Sequence, residues 1–178
     1  MEKSVCRGKV IVKGKIFYTD FANPIFVEGS TIEENIRFGK RLNKIRMENI
    51  LTLVGLSRLS PKENLDFNIE TIVVQKNARN LSRILKIKLL FARMCYLDSE
   101  IYLIHNFTSS LQTTEHSYFQ LFKHIVVGYM FNKTIIFDST WRDFLKLSDK
   151  ICIVEKNSSV VFFGRYFEFI QNPNLDSY

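Results

Sequence analysis

The chain has 178 residues, of which 46% are hydrophobic and 13% aromatic, and it carries a formal net charge of +7. This length and apolar content predict one globular domain over residues 1–178 and exclude a disordered chain. Apolar runs fall short of the roughly 18 residues that a membrane-spanning helix needs, and the N-terminus lacks the apolar core of a signal peptide. Three cysteines without C-x-x-C spacing are typical of reduced thiols, so we expect a cytoplasmic location.

The first predicted strand covers residues 10–18, where β-branched side chains alternate. A capping box that begins at Thr31 predicts a short helix ending near Gly39. Apolar residues at helical spacing then predict a second helix over 45–54.

The middle of the chain starts with a polar connection, residues 57–80, that contains one short extended piece. A helix is predicted over 82–97, with Ser82 as its N-cap. A short apolar run at 101–104 predicts a buried strand. Residues 113–130 have a helical apolar spacing and begin with two threonines, either of which could cap the helix.

The C-terminal part predicts a second buried strand at 134–137 and a short helix at 141–147. A β-hairpin is expected over 151–163, with its turn at 157–158, and a helical turn at 166–171 follows it.

Strands that alternate with helices predict an α/β fold with a mostly parallel sheet and flanking helices. Ligands of such sheets bind beyond the carboxyl ends of the strands. We therefore expect any chemistry to lie at residues 104–107 and 137–140.

Two segments resemble a known family. Residues 29–39 resemble the G-T-I-x-E-N-I-x-F-G run of ATP-binding cassette (ABC) transporters of subfamily C, with one inserted residue. Residues 80–112 resemble the signature helix and Walker B strand of the same nucleotide-binding domains: Leu-Ser opens a helix, Phe-Ala-Arg closes it, and Tyr-x-Asp-Ser-Glu precedes Ile-Tyr-Leu-Ile. The C-terminal half is most similar to the first nucleotide-binding domain of the cystic fibrosis transmembrane conductance regulator type, and the likeness covers roughly residues 8–175.

The resemblance implies a truncated P-loop NTPase domain of the ABC ATPase type. It places the signature-helix region at about 57–97 and the part from the Walker-B-like strand onward at 100–171. Family members bind ATP and Mg²⁺ and act in ATP-driven transport or channel gating at a membrane. This sequence contains no G-x-x-x-x-G-K-[ST] phosphate-binding motif, so we expect the P-loop portion of the domain to be missing from it.

The positions that align with the hydrolytic groups of the family hold other residue types. The Walker B aspartate is replaced by His105 and the catalytic glutamate by Asn106. Imidazole is a poor ligand for Mg²⁺, and an amide cannot act as a general base. The Q-loop glutamine falls at Asp20 or Phe21, and the switch histidine aligns with Thr140.

The signature and D-loop motifs are altered as well. The signature Leu-Ser-Gly-Gly-Gln is replaced by Leu81, Ser82, Arg83, Ile84 and Leu85. The D-loop Ser-Ala-Leu-Asp is replaced by Ser109, Ser110, Leu111 and Gln112. Both glycines that allow the backbone to approach a partner's γ-phosphate are lost, so Ser82 is predicted to be only an N-cap and Arg83 a solvated surface residue.

These replacements predict a protein that is not an enzyme, with neither ATP nor Mg²⁺ as a cofactor and no metal site. The histidines have no chelating spacing, and Asp138-Ser139 with His105 lacks the Gly-x-Ser-x-Gly elbow of a hydrolase triad. The expected partner is another nucleotide-binding domain or a membrane domain of an ABC transporter, at the cytosolic face of a membrane.

Two alternatives remain open. The basic segments 37–46 and 79–88 could make the chain a basic protein-interaction or nucleic-acid-binding module on a reused α/β frame, whose binding would weaken steeply with salt. Nucleic acid is disfavoured as a partner because no recognised nucleic-acid motif accompanies these segments. The chain could also be an eroded product without a function.

Overall fold

The computed structural model describes residues 9–57, 68–108, 116–156 and 159–175. Its strands, in chain order, are β1 (Ile16–Asp20), β2 (Ile101–His105), β3 (Thr134–Phe137), β4 (Ile151–Val154) and β5 (Val160–Gly164). Its helices are α1 (Ile32–Arg37), α2 (Lys44–Leu53), α3 (Arg83–Leu97), α4 (His116–Phe122), α5 (Arg142–Leu145) and α6 (Tyr166–Ile170). Single 3₁₀ turns at Lys76–Ala78 and Pro173–Leu175 and a π-helical segment at Lys123–Tyr129 complete the regular structure of the described ranges. The predicted α/β class is confirmed.

Strands β1, β2 and β3 form a parallel sheet in that order. The order advances in one direction, and right-handed crossovers then place the connecting helices on a single face of the sheet. On that face Tyr102 and Ile104 are 1% and 3% exposed, and Phe17, Ile135 and Phe137 pack beside the helices. The other face of the sheet, called here the open face, exposes apolar side chains: Ile16 is 48%, Tyr18 58% and Ile136 60% exposed.

The core between sheet and helices is rich in phenylalanine. Phe107, the second residue after β2, is fully buried, and its ring centroid lies 4.8–5.6 Å from four other rings. Those rings belong to Phe21, Phe91, Phe122 and Phe144. Such edge-to-face and offset contacts stabilise the core beyond simple area burial, by about 0.5–1.5 kcal/mol a pair.

A buried polar network joins α1 to α3. The side chain of Asn35 accepts a hydrogen bond from Val27 N (2.7 Å) and donates to Val27 O (3.1 Å). Arg93, which is 3% exposed, donates from Nε to Asn35 O (2.7 Å) and from Nη1 to Ile25 O (2.6 Å). Burial lowers the pKa of Arg93 to about 10, which leaves it charged at neutral pH. The run that resembles subfamily C thus holds the loop before α1 in place.

The N-terminal strand is shorter than predicted. It starts at Ile16 and not at residue 10, and Val10 and Ile11 are 75% and 69% exposed. Gly14 has φ +116°, which breaks the extended conformation, and the Lys15 amide donates to the Glu100 carboxylate (2.7 Å) and not to a neighbouring strand. The apolar alternation before residue 16 therefore finds no strand to pair with among the described residues.

Two other predictions need correction. Strand β3 is not buried on both faces, because Ile136 is 60% exposed. The long helix predicted over 113–130 is described from His116 onward, and its second half, Lys123–Tyr129, is π-helical. Its predicted threonine caps lie outside the described residues, as does the predicted turn at 157–158.

The hairpin of β4 and β5 is antiparallel, as predicted, and forms a small core of its own with α6. Ile151, Phe169 and Leu175 are the buried residues of that core. In the part of the chain that the structure describes, no helix has the length and apolar character needed to cross a bilayer.

Candidate functional site at the carboxyl edge of the sheet

The carboxyl ends of the three parallel strands bring four polar residues together. Asp20 ends β1 and is in register with His105, the last residue of β2. Asp138 continues the ladder one residue beyond β3, because its amide donates to Ile104 O (3.3 Å). Asn106 follows β2, and these four residues are called here the carboxyl-edge cluster. The structure thus joins the two segments, 104–107 and 137–140, in which chemistry was expected.

Asn106 lies at the centre of the carboxyl-edge cluster. Its amide N–H donates to Asp138 Oδ1 (2.9 Å), and its side-chain amide donates to Asp20 Oδ1 (3.2 Å). The other oxygen of Asp138 pairs with His105 Nδ1. Asn106 has φ +56°, a left-handed conformation that asparagine tolerates better than most residues. The two Walker-B-like residues are therefore engaged with neighbouring side chains.

The Asp20 carboxylate is also the acceptor of a tight turn. It accepts hydrogen bonds from Ala22 N (2.9 Å) and Asn23 N (3.3 Å), and from the Asn23 side chain (3.2 Å). Burial raises the pKa of Asp20, but the hydrogen bonds from Asn23, Asn106 and the turn amides outweigh it and hold the pKa below its ordinary value. The carboxylate is charged at neutral pH.

The remaining residues predicted at this edge have packing roles. Phe21 is 4% exposed, belongs to the aromatic core, and donates its amide to His105 O (2.9 Å). Thr140 donates its amide to the hydroxyl of buried Thr108 (3.4 Å). Ser139 Oγ accepts from Trp141 N (3.0 Å), which ties the serine of the rejected triad to its own loop.

The signature-like segment is a helix start. Leu81 is buried in the core, and Ser82 Oγ accepts from the Leu85 amide (3.2 Å), as the N-cap prediction requires. Arg83 is exposed and Ile84 is 46% exposed. The D-loop-like residues 109–112 lie outside the described residues.

Several basic residues of the alternative interface prediction are used inside the fold. Arg37 Nη1 donates to Lys40 O (2.9 Å), and Arg46 Nη2 donates to Cys95 O (2.9 Å). Lys88 Nζ donates to Gly55 O (3.1 Å). Arg37 and Arg46 also form ion pairs with Glu33 (3.2 Å) and Asp98 (3.5 Å), and the basic-module alternative stays a prediction.

Residues 9–57, 68–108, 116–156 and 159–175 contain no group of three or more histidine, cysteine, aspartate or glutamate side chains that could hold a metal ion. The sequence predicts that His105 and Asn106 occupy the Walker B positions, but it does not predict that Asp138 contacts both of them. The sequence feature that could have identified Asp138 is its position one residue after a predicted strand that lies parallel to β2.

Comparisons with known proteins agree with the resemblance. No family model matches the chain. It is 28% identical to ABC transporter C family member 6 of Arabidopsis thaliana over 165 residues, which are 93% of this chain and 11% of that protein. It is 27% identical to ABC transporter C family member 12 of Dictyostelium discoideum over 172 residues, 95% of this chain and 12% of that protein.

ABC transporter C family member 3 of Arabidopsis thaliana is 29% identical over 147 residues, 83% of this chain and 9% of that protein. The chain thus spans about a tenth of the length of the curated relatives it matches. Over most of its own length it is similar to ABC transporter C family members, and this similarity supports assignment to ABC subfamily C.

Proposed function

We propose that this chain is a degenerate nucleotide-binding-domain segment of the ABC transporter C family that does not hydrolyse ATP. In this proposal it acts structurally or regulatorily, by packing against another nucleotide-binding domain or a transporter membrane domain. The site of action is the cytosolic face of a membrane. The similarity to C family transporters over 93% of the chain supports the family part of the proposal.

The observation that carries the loss of hydrolysis is the composition of the carboxyl-edge cluster. A hydrolytic site needs a group that accepts a proton from the attacking water, and the aligned residue, Asn106, is an amide without a basic atom. Its side chain donates to Asp20 (3.2 Å), and its backbone amide donates to Asp138 (2.9 Å). His105 pairs with the same Asp138 carboxylate.

The residues present do not fit Mg²⁺ and ATP. Mg²⁺ prefers carboxylate and phosphate oxygens in an octahedral arrangement that keeps several waters. The carboxylates of Asp20 and Asp138 already accept hydrogen bonds from their neighbours at this edge. The sequence also has no glycine-rich phosphate cradle.

The experiment measures ATP turnover and nucleotide binding by the purified chain. We expect no phosphate release above a buffer control, and no rise in melting temperature with Mg-ATP, since a ligand that bound the folded state would stabilise it. The double variant His105→Asp/Asn106→Glu should also stay inactive, because the phosphate cradle is still missing.

Mg-ATP turnover by the unchanged chain that disappears on Asn106→Ala, but persists in the surface control Ile45→Ala, would overturn the proposal. The proposed packing against a transporter domain is tested by chemical cross-linking of the native chain in membranes, followed by mass spectrometry. Cross-links to an ABC transporter support it, and cross-links confined to unrelated proteins argue against it.

A further inference from the structure

A cavity of about 250 Å³ lies at the amino edge of the parallel sheet, opposite to the carboxyl-edge cluster. Asp98, which precedes β2, and Lys133, which precedes β3, belong to its lining. Tyr102 of β2 and Tyr129 and Asn132 from the segment before β3 line it as well. The space corresponds to about eight water molecules, at about 30 Å³ each, and is therefore large enough for a small organic molecule. It is called here the amino-edge cavity.

Buried Tyr102 gives the amino-edge cavity a fixed inner wall. Its hydroxyl accepts a hydrogen bond from Ser99 N (2.7 Å) and donates one to Met94 O (3.0 Å). These two bonds satisfy backbone groups at the point where α3 ends. The inner wall is thus held by the fold itself and is formed before any ligand binds.

Two uncommon backbone conformations meet at the amino-edge cavity. The π-helical segment ends there, and the Met130 amide donates to Ile125 O (2.8 Å), five residues back in the chain. Such π-helical turns are rare and frequently occur at functional sites. Asp98, on the other side of the sheet edge, has φ +52°, in the left-handed region. Residues held in this region also cluster at ligand sites.

The lining of the amino-edge cavity contains an ion pair. Asp98 Oδ1 lies 2.8 Å from Lys133 Nζ, and the two side chains are 52% and 21% exposed. Each group has bonding capacity left, because a carboxylate has about four lone-pair sites and an ammonium group has three donors. Arg46, which is not part of the lining, lies 3.5 Å from the other oxygen of Asp98 and helps to hold it in place.

The balance of charge in the lining selects the class of ligand. Within the described residues the lining carries one carboxylate and one ammonium group, so its charges cancel. A ligand with both charges can pair with both groups, whereas a ligand with one charge is attracted by one group and repelled by the other. The Tyr129 hydroxyl and the Asn132 amide can each donate and accept a hydrogen bond for the remaining polar part of the ligand.

We infer that the amino-edge cavity binds a small zwitterion of the amino-acid type, whose ammonium group pairs with Asp98 and whose carboxylate pairs with Lys133. The side chain of the ligand lies against Tyr102 and Tyr129, and its polar end reaches Asn132. The inference does not involve the carboxyl-edge cluster and does not depend on the proposed function, so either can fail without the other.

The test titrates the full chain with L-glutamine, a zwitterion of about ten non-hydrogen atoms with a polar amide end. Saturation-transfer NMR observes the ligand and needs only micromolar protein. We expect a Kd below about 1 mM, which is within reach of a molecule of this size. Two analogues each lack one charge: 4-carbamoylbutanoate has no ammonium group, and 4-aminobutanamide has no carboxylate. Each should bind at least about tenfold more weakly than L-glutamine.

Variants locate the site. Asp98→Asn and Lys133→Met should each weaken L-glutamine binding at least about tenfold. The matched controls are Asp143→Asn and Lys146→Met, which break an ion pair of the same length (2.8 Å) outside the cavity and should leave binding unchanged. Where Asp98→Asn or Lys133→Met loses the circular dichroism spectrum of the unchanged chain, Tyr129→Phe takes its place. It removes one hydroxyl at a 48% exposed position and should weaken binding about threefold.

Three outcomes would overturn the inference. The first is no saturation transfer to L-glutamine up to about 10 mM, which would mean that water alone fills the cavity. The second is equal binding of L-glutamine and one of its analogues, which would mean that a single charge is recognised. The third is binding that the cavity variants leave intact, which would place the site elsewhere on the chain.

Discussion

Asn106 holds the carboxyl-edge cluster together through two different properties, its amide side chain and its left-handed backbone. The side chain reaches Asp20 at 3.2 Å, and φ is +56°. Alanine removes the hydrogen bond and tolerates this φ poorly, whereas glycine removes the hydrogen bond but relaxes the backbone.

We therefore expect Asn106→Ala to lower the free energy of unfolding by about 1–2 kcal/mol, and Asn106→Gly to cost less. Urea denaturation followed by circular dichroism measures both values. Equal costs for the two variants would mean that the left-handed conformation is not retained in solution.

Protonation of Asp98 should make the stability of the chain depend on pH in the acid range. A hydrogen bond from Lys133 (2.8 Å) is the main cause that lowers the pKa of this carboxylate; burial opposes it, and the charges of Lys133 and Arg46 assist. Its folded-state pKa thus lies below the unfolded value of 3.8. The stabilisation that the charged Asp98 carboxylate provides is complete above the unfolded-state pKa and is lost as the pH falls through the folded-state pKa.

The free energy of unfolding should therefore decrease as the pH drops below about 4, with a smaller slope in Asp98→Asn than in the unchanged chain. Urea denaturation at a series of pH values tests this. An unchanged slope in the variant would assign the acid sensitivity to other carboxylates, of which Asp20 also has a lowered pKa.

At the scale of single elements, the first turn of α3 allows a test of whether Ser82 serves as a helix cap or as part of a ligand site. Ser82 Oγ accepts from the Leu85 amide at 3.2 Å, which satisfies one of the free amides of the first turn. Ser82→Ala should cost about 1 kcal/mol of stability, and Ser82→Asp, another good N-cap, should restore it. Thermal and urea unfolding provide the values, and Arg83→Ala serves as the exposed control. A loss in Ser82→Ala that aspartate does not restore would reject the capping role.

Elements whose signals are local were predictable. The capping box at Thr31 forms, with Glu34 N donating to Thr31 Oγ1 (3.1 Å) and Thr31 N donating to Glu34 Oε2 (2.8 Å). Strand β2 also appears where its apolar run predicts it. The start of β1 was not predictable. Val10 and Ile11 are residue types that favour strands, but a segment becomes a strand only when a neighbouring strand pairs with it, and these two residues are exposed.

For the candidate site, the sequence predicts the location and not the contacts. Parallel strands must end at a common edge, so residues 104–107 and 137–140 were expected to meet there. Which side chains pair depends on the register of β2 with β1 and β3, and a one-residue shift would turn His105 to the other face. No local pattern encodes that register, and this is why the role of Asp138 needed the structure.

At the scale of the whole molecule, the open face should control the solubility of the isolated chain. Exposed apolar sheet surface and unpaired strand edges favour association. Tyr18→Thr/Ile136→Thr removes two side chains that are 58% and 60% exposed, and threonine keeps a high strand propensity. Removal of exposed groups has little effect on the core, so the free energy of unfolding should change by no more than about 0.5 kcal/mol for each site.

Light scattering of both proteins over a concentration series should show aggregation of the unchanged chain and a markedly higher onset concentration for the double variant. The matched control is Val160→Thr/Phe163→Thr on the hairpin, where the exposed fractions are 60% and 68%. Equal improvement by the control would make general hydrophobicity, and not the open face, the cause. A monodisperse monomer of the unchanged chain with a sharp cooperative melt would show that the open face is tolerated in water, and a covering partner would then not be needed for solubility.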